Sequence, residues 1–360
     1  MSEQPADGPE PQPVLLAFRR AAVFLVVSVN DRPGAAEKVR DAVADVNALV
    51  RAVGFRQASA ELSCVVGFGS SYWDRIRPAG GPRPAGLHEL RPITGAVHDA
   101  PATPGDVLFH IRADRSDLAF ELSRQIMAAI GQWVTVQDHV TGFRYFDARD
   151  LLGFVDGTEN PTGRAANAAA LIGDAEPDFR NGSYVIVQKY LHDLAAWQAL
   201  STERQERIIG RTKFDDIEID DDIRADNSHV SLNTIVDENG LEQDIFRDNM
   251  VFGDAGAGEY GTFYIAYAND PAITELMLQH MFVGKPPGNY DHILDVSTPV
   301  TGSLFFVPSL DLLETLADDE ITQSPDDGSL RIGSLRGEMG GGEMGTAEAG
   351  KGEAGKGEVG

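Results

Sequence analysis

One order of strand-like and helix-like segments occurs twice along this sequence, and that recurrence limits the fold more than any other feature. In the first half, β-branched and aromatic runs bounded by Gly, Pro and Asp predict strands at Ala22–Asn30, Leu62–Gly69, Val107–Ile111 and Val134–Tyr145, with helices at Ala35–Val53 and Ser116–Trp133. The second half predicts strands at Ser183–Tyr190, Ile245–Phe252, Gly261–Ala268 and Gly302–Val307, with helices at Leu194–Gly210 and Pro271–Phe282. Each set reads β-α-β-β-α-β, a ferredoxin-like order. The expected fold class is therefore α+β, with two ferredoxin-like halves whose antiparallel sheets are arranged as in a dimeric α/β barrel. The expected division is a flexible leader at 1–14, halves at 15–150 and 151–315, and a tail at 316–360. Ser116 and Ser201 stand where N-caps belong, Glu203 and Glu206 suit the turn after Ser201, and Pro271 suits a first turn.

Acidic residues outnumber basic ones 56 to 30, for a formal net charge of −26. A chain this acidic lacks the counter-charge for nucleic-acid phosphates or an anionic membrane surface, so neither is expected as a partner. The lone Cys64 excludes an intrachain disulfide, and its apolar run Leu62-Ser63-Cys64-Val65-Val66 predicts a buried, inert thiol. Met1–Pro13 has no basic segment leading into an apolar one, and the Arg19-Arg20 pair is followed by a strand-like run without a small-residue cleavage site. No stretch reaches the roughly 18 apolar residues of a membrane span. A cytoplasmic protein is the expectation.

From Glu338 onward, glutamates recur at Glu343, Glu348, Glu353 and Glu358 amid Gly, Ala, Met and Lys, with almost nothing large to bury. Disorder is expected there. Just before it, Leu330, Ile332 and Leu335 stand isolated in a polar setting, which reads either as a docking peptide or as a frayed end.

The most unusual local run is Gly153-Phe154-Val155-Asp156-Gly157-Thr158-Glu159-Asn160-Pro161. As structure it is an Asx-type loop; as chemistry it holds Asp156 at a fixed place. The eight histidines show no His-x-x-x-His or His-Glu-x-x-His spacing, which argues against a multi-histidine zinc site. A haem needs only one protein ligand and leaves its other face open. His229, beside a short strand-like run, is the best candidate for that ligand. Arg247 and Asn249, two apart in the strand-like Ile245–Phe252, share one face, with Phe246 and Met250 on the other. A guanidinium and a carboxamide side by side on an inward face are costly without a polar partner, so they imply a ligand pocket. Of the remaining histidines, His88, His98 and His192 read as surface residues and His110 and His139 as core ones, while His280 falls on a helix and His292 in a loop. The acidic run Asp215–Asp222 reads first as a solvated loop, with a cation site as the alternative.

At Gly153-Phe154-Val155-Asp156-Gly157 the chain resembles bacterial dye-decolorising peroxidases, whose hallmark is a Gly-x-x-Asp-Gly motif with its acid over the haem. The resemblance spans about residues 15 to 315 and extends to Ser228-His229-Val230, Arg247-Asp248-Asn249 and Gly261-Thr262-Phe263-Tyr264. Compact length and the missing secretion signal resemble the B-type branch, whose members are cytoplasmic. The resemblance implies a haem b pocket in the C-terminal half, 151–315, with His229 as proximal iron ligand, Asp156 as distal acid, Arg247 as distal arginine and Asn249 orienting peroxide or water. It further implies Asp291, backed by Asp295, as acceptor for the other N–H of His229, Arg211 as partner of a haem propionate, and Phe263 in the pocket wall. The implied activity is reduction of hydrogen peroxide and oxidation of dyes, phenolic compounds or metal ions. Large reductants would be oxidised at the surface, with Tyr184, Tyr190 and Trp197 either relaying electrons or simply packing the core. Such folds usually associate, so a homo-oligomer is expected. Ile332-Gly333-Ser334-Leu335 resembles the peptide by which such peroxidases are packaged in encapsulin shells, although here the Glu/Gly repeat follows it. Two other readings stand beside the enzyme: a haem-handling protein with incidental peroxidase activity, and a haem-free member of the fold.

Overall fold

The computed structural model describes residues 8–317 except 17, 78 and 79, so the tail readings from 318 onward lie outside the described residues. The first half supplies strands β1 (Ala21–Val29), β2 (Ser63–Phe68), β3 (Val107–Ala113) and β4 (Val134–Phe143), and the second supplies β5 (Ser183–His192), β6 (Met250–Asp254), β7 (Glu259–Ala268) and β8 (Ser303–Val307). Within the halves the spatial orders are β2-β3-β1-β4 and β8-β5-β7-β6, all pairs antiparallel, which is the same ferredoxin-like arrangement twice. Single cross-strand pairs join the two sheets at both edges, Phe306 opposite Phe68 and Phe143 opposite Val251. The sheets thereby close into a barrel.

Alternation along each strand separates the two cores. In β1, Ala22, Phe24 and Val26 point into the barrel with Val65, Leu108 and Phe305, whereas Val23, Leu25 and Val27 pack outward against helix residues Val39, Leu122 and Ile126. With both faces covered, the strand reads as one apolar run without a polar face. Each such side chain contributes about 1.5–3 kcal/mol on burial. Among the described residues no helix is long and apolar enough to cross a membrane.

Several expectations are corrected. The helix expected at Ala35–Val53 is two helices, Ala35–Ala44 and Val46–Gly54, meeting at Asp45, and that at Leu194–Gly210 is Leu194–Gln198 and Thr202–Ile209. Ser201 causes the second break: as N-cap, its side chain accepts from the Arg204 N–H, starting a new helix inside the expected one. Ser116 is the first helical residue and Arg115 the N-cap. Helix Gly163–Ala170, unsignalled by a capping side chain, was not expected. Within the expected leader, Gln12 and Val14 pack against the body of the fold. Gln12 is buried, its amide bonding the N–H and C=O of Val66 at 2.8 and 2.9 Å and the Pro308 C=O at 2.9 Å, which bridges the chain segments beside the β2–β8 seam. Cys64 is buried as expected, and burial pushes its thiol up to about 12.

Candidate active site

The Asp156 loop is held from within and from the sheet. Asp150 Oδ1 accepts the Phe154 N–H at 2.9 Å, and the Asp156 N–H donates to Ala148 C=O at 2.8 Å. Gly153 and Gly157 take φ of +93° and +80°, and a Cβ at Gly157 would lie 2.6 Å from the Phe18 ring, so both geometry and space demand glycine. Asn160 then clips the loop to the sheet: its Oδ1 accepts the Arg247 N–H at 2.9 Å and its Nδ2 donates to the Arg247 C=O at 2.6 Å. That side chain was not singled out in the sequence, because only the fold brings it to the backbone of Arg247.

The strand expected at Ile245–Phe252 forms as Phe246–Arg247 and β6, with the same register against β7 on both sides of a gap at Asp248-Asn249. In the gap, Asn249 Oδ1 takes the place of a backbone acceptor for the Ile265 N–H at 3.1 Å, and its Nδ2 donates to Asp156 Oδ1 at 3.3 Å. Arg247 and Asn249 line the same cavity as expected, and the guanidinium of Arg247 has no hydrogen bond or ion pair among the described residues. Asp248, between them, is fully buried on the barrel side and pairs with Arg112 at 2.7 Å.

His229 begins the short helix His229–Asn233 instead of flanking a strand, and Ser228 caps that helix by accepting the Ser231 N–H. His229 Nδ1 lies 2.7 Å from Asp291 Oδ2. Asp291 is fully buried, and its Oδ1 accepts the Ile293 N–H at 3.0 Å, fixing its orientation. Nδ1 as donor to the carboxylate leaves Nε2 with a lone pair, and no described residue bonds Nε2. His229, Asp156, Arg247 and Asn249 all line one cavity of about 1440 Å³, counting the space open to solvent at its mouth. Leu152, Phe154, Ile209, Met277, Leu278 and Met281 supply its apolar walls.

This donor set fits a haem. One neutral nitrogen backed by a carboxylate suits a single axial bond, the apolar walls suit a macrocycle, and no group of three or more His, Cys, Asp or Glu among the described residues could hold a bare metal ion.

Arg211 lines the cavity, but its guanidinium is engaged by Glu159 and by Asp216, at 2.8 Å, with Glu218 at 3.4 Å. The acidic run 215–222 is thus a latch on Arg211 and Arg224, not merely a solvated loop. Phe263 is corrected: it points into the barrel, stacked on Phe24 at 4.1 Å, and its neighbours Thr262 and Tyr264 face the cavity instead. His192 is also corrected, ending β5 in the cavity wall between Ser297 and Thr262, where burial lowers it to about 4. Asp295 binds His98 and His292, not Asp291.

Asp150, missed in the sequence, lies half-buried in the wall, where burial first and the Asp156 charge second push it up to about 7. The folded state therefore holds a proton there that the unfolded chain releases near 4, and stability falls as pH rises between those values. In the haem-free protein the midpoint of urea unfolding should drop from pH 4.5 to 7.5, and Asp150→Asn should remove most of that slope, roughly 1.4 kcal/mol per pH unit at most. A slope unchanged in Asp150→Asn would contradict the assignment.

The family models "Dyp-type peroxidase, N-terminal" and "Dyp-type peroxidase, C-terminal" match residues 11–144 and 147–312. A dye-decolorizing peroxidase of Mycobacterium tuberculosis is 52% identical over 329 residues, covering 91% of this chain and 97% of that protein. A variant of Rhodococcus jostii DypB solved in complex with heme is 59% identical with a TM-score of 0.82, over 85% of this chain and 98% of that one. The encapsulated DyP-type peroxidase of Mycobacterium smegmatis, known from cryo-electron microscopy, is 55% identical with a TM-score of 0.83, over 85% and 98%.

Proposed function

The chain belongs to the Dyp-type peroxidase family, and from that premise we propose that His229 is the iron ligand, with Asp156, Arg247 and Asn249 acting on peroxide across the cavity. The protein is a haem peroxidase that reduces hydrogen peroxide and oxidises dyes, phenolic compounds or metal ions, with haem b as its cofactor. When bound, the haem supplies the redox centre that takes up the oxidising equivalents of peroxide. The observation that carries the residue assignment is the 2.7 Å His229–Asp291 contact in the same cavity as Asp156, Arg247 and Asn249.

Asp291 would fix the tautomer of His229 and raise its basicity as a ligand. Asp156 would take the proton from the inner peroxide oxygen and pass it to the outer one, which leaves as water. Arg247, uncommitted to any described partner, would stabilise the negative charge that grows on the leaving oxygen. Asn249, bonded to Asp156 at 3.3 Å and to the backbone of β7, would hold the acid in line. Arg211 would meet a propionate only by yielding some of its carboxylate contacts.

The test is steady-state oxidation of an anthraquinone dye by haem-loaded protein with peroxide. Turnover well above that of free haem is expected; turnover at the free-haem rate would favour a haem-handling role instead. A cytoplasmic location, self-association and packaging in an encapsulin shell through residues 332–335 are proposed with it, supported by the tail resemblance and by the encapsulated Mycobacterium smegmatis neighbour. Deleting residues 326–360 should abolish loading into a co-expressed shell while dye oxidation persists; loading unchanged would refute the docking role.

A further inference from the structure

A second cavity, of about 1050 Å³ on the same measure, shares the side chain of Leu278 with the first. Leu90, Ile93 and Pro101 add apolar wall, and Gln188 and Arg91 present donors to it. Gln188 is fully buried in its lining; Gln188 Oε1 accepts the Tyr190 hydroxyl at 2.8 Å, while Gln188 Nε2 has no hydrogen-bond partner among the described residues. An unpaired buried amide nitrogen is costly, and a ligand oxygen would offset that cost. Arg91, exposed in the same lining, forms no ion pair among the described residues. Glu275 is already engaged by His88 at 2.9 Å. Tyr190 itself lines the first cavity, so the Gln188–Tyr190 bond links the two.

Charge separates the two entrances. The first cavity is edged by Glu159, Glu242 and Asp244, and burial together with mutual repulsion raises Glu242 and Asp244. An anionic reductant is repelled from that mouth and meets Arg91 at the other. We propose that the second cavity binds a small phenolic acid as reductant, an inference that rests on the peroxidase reading above. The ring packs against Leu90, Ile93, Pro101 and Leu278, the carboxylate pairs with Arg91, and the phenol oxygen accepts from Gln188 Nε2. One electron passes from the phenol through Tyr190 toward the first cavity, where peroxide has left its oxidising equivalents, and the phenol proton is released to solvent as the phenoxyl radical departs. Two phenols become two phenoxyl radicals for each peroxide reduced to two waters.

The test titrates 4-hydroxybenzoate into resting, haem-loaded protein by calorimetry, for wild type and Arg91→Glu, and repeats the comparison as KM in turnover. Arg91 is exposed, so the substitution leaves folding intact. The expected result is binding without any change in the Soret band, weakened about tenfold or more by Arg91→Glu as for the loss of one charge-assisted contact, with a parallel rise in KM for this acid. The KM for peroxide and the turnover of a cationic dye stay unchanged. No binding to wild type, equal affinity in Arg91→Glu, or a Soret shift on binding would overturn the proposal. Failure of the peroxidase reading shows separately, as a wild-type Soret band unmoved by peroxide, because calorimetry on the resting protein needs no turnover.

Discussion

Arg247→Leu is expected to slow peroxide activation about a hundred- to a thousandfold, the range for removing one pre-placed donor to developing negative charge. The guanidinium is held ready by its backbone, clipped on both sides by Asn160, and no described side chain competes for it. Asp156→Asn is expected to lose less. The amide oxygen can still accept from Asn249 Nδ2, so the loop geometry survives, and water in the open cavity can take over part of the proton transfer. Stopped-flow measurement of the Soret change after peroxide reads both rates, and equal losses would contradict the ranking.

The second large effect is on stability. Arg112 and Asp248 are fully buried inside the barrel and pair at 2.7 Å, with His110 Nε2 at 3.8 Å from the same carboxylate oxygen and His110 Nδ1 at 2.8 Å from the Tyr267 hydroxyl. Burial raises Asp248 despite Arg112 beside it, and burial together with the Arg112 charge holds His110 well below its usual range, so that imidazole is neutral. Asp248→Ala leaves a guanidinium buried without its counter-charge, for an expected loss of about 3–5 kcal/mol. Arg112→Met with Asp248→Ala removes both charges and should cost clearly less than the two single changes added together. Urea unfolding of the four proteins measures this coupling, and simple additivity would show that the pair is not coupled. Because Asp248 sits between Arg247 and Asn249, the single variant should also lose activity.

The doubled β-α-β-β-α-β order was legible because each strand is a long apolar run between turn residues, as in β1 and β5. Arg247 and Asn249 were legible as a pair because the two-residue period of a strand places them on one face whatever lies opposite. Phe263 was misplaced for the same reason turned around: Phe263 pairs with Met250, and both point into the barrel, but that register cannot be read before the two strands are paired. Asn160 and Asp150 escaped because their roles depend on contacts, Asn160 with a backbone 87 residues away and Asp150 with its burial in the cavity wall. His229 and Asp291 are 62 residues apart, and the family resemblance, not spacing, joined them before the structure did. Arg211 looked free for a propionate because only the fold turns Glu159, 52 residues away, and the nearby Asp216 and Glu218 onto its guanidinium.

The central claim is that His229 holds the haem through Nε2 in the cavity that Asp156 and Arg247 face. The most direct measurement is the absorption spectrum of wild type and His229→Ala expressed with a haem precursor, before and after one equivalent of peroxide. The account predicts a wild-type Soret band that shifts with peroxide and is weakened or lost in His229→Ala. Equal Soret bands that respond equally to peroxide in the two proteins would contradict it.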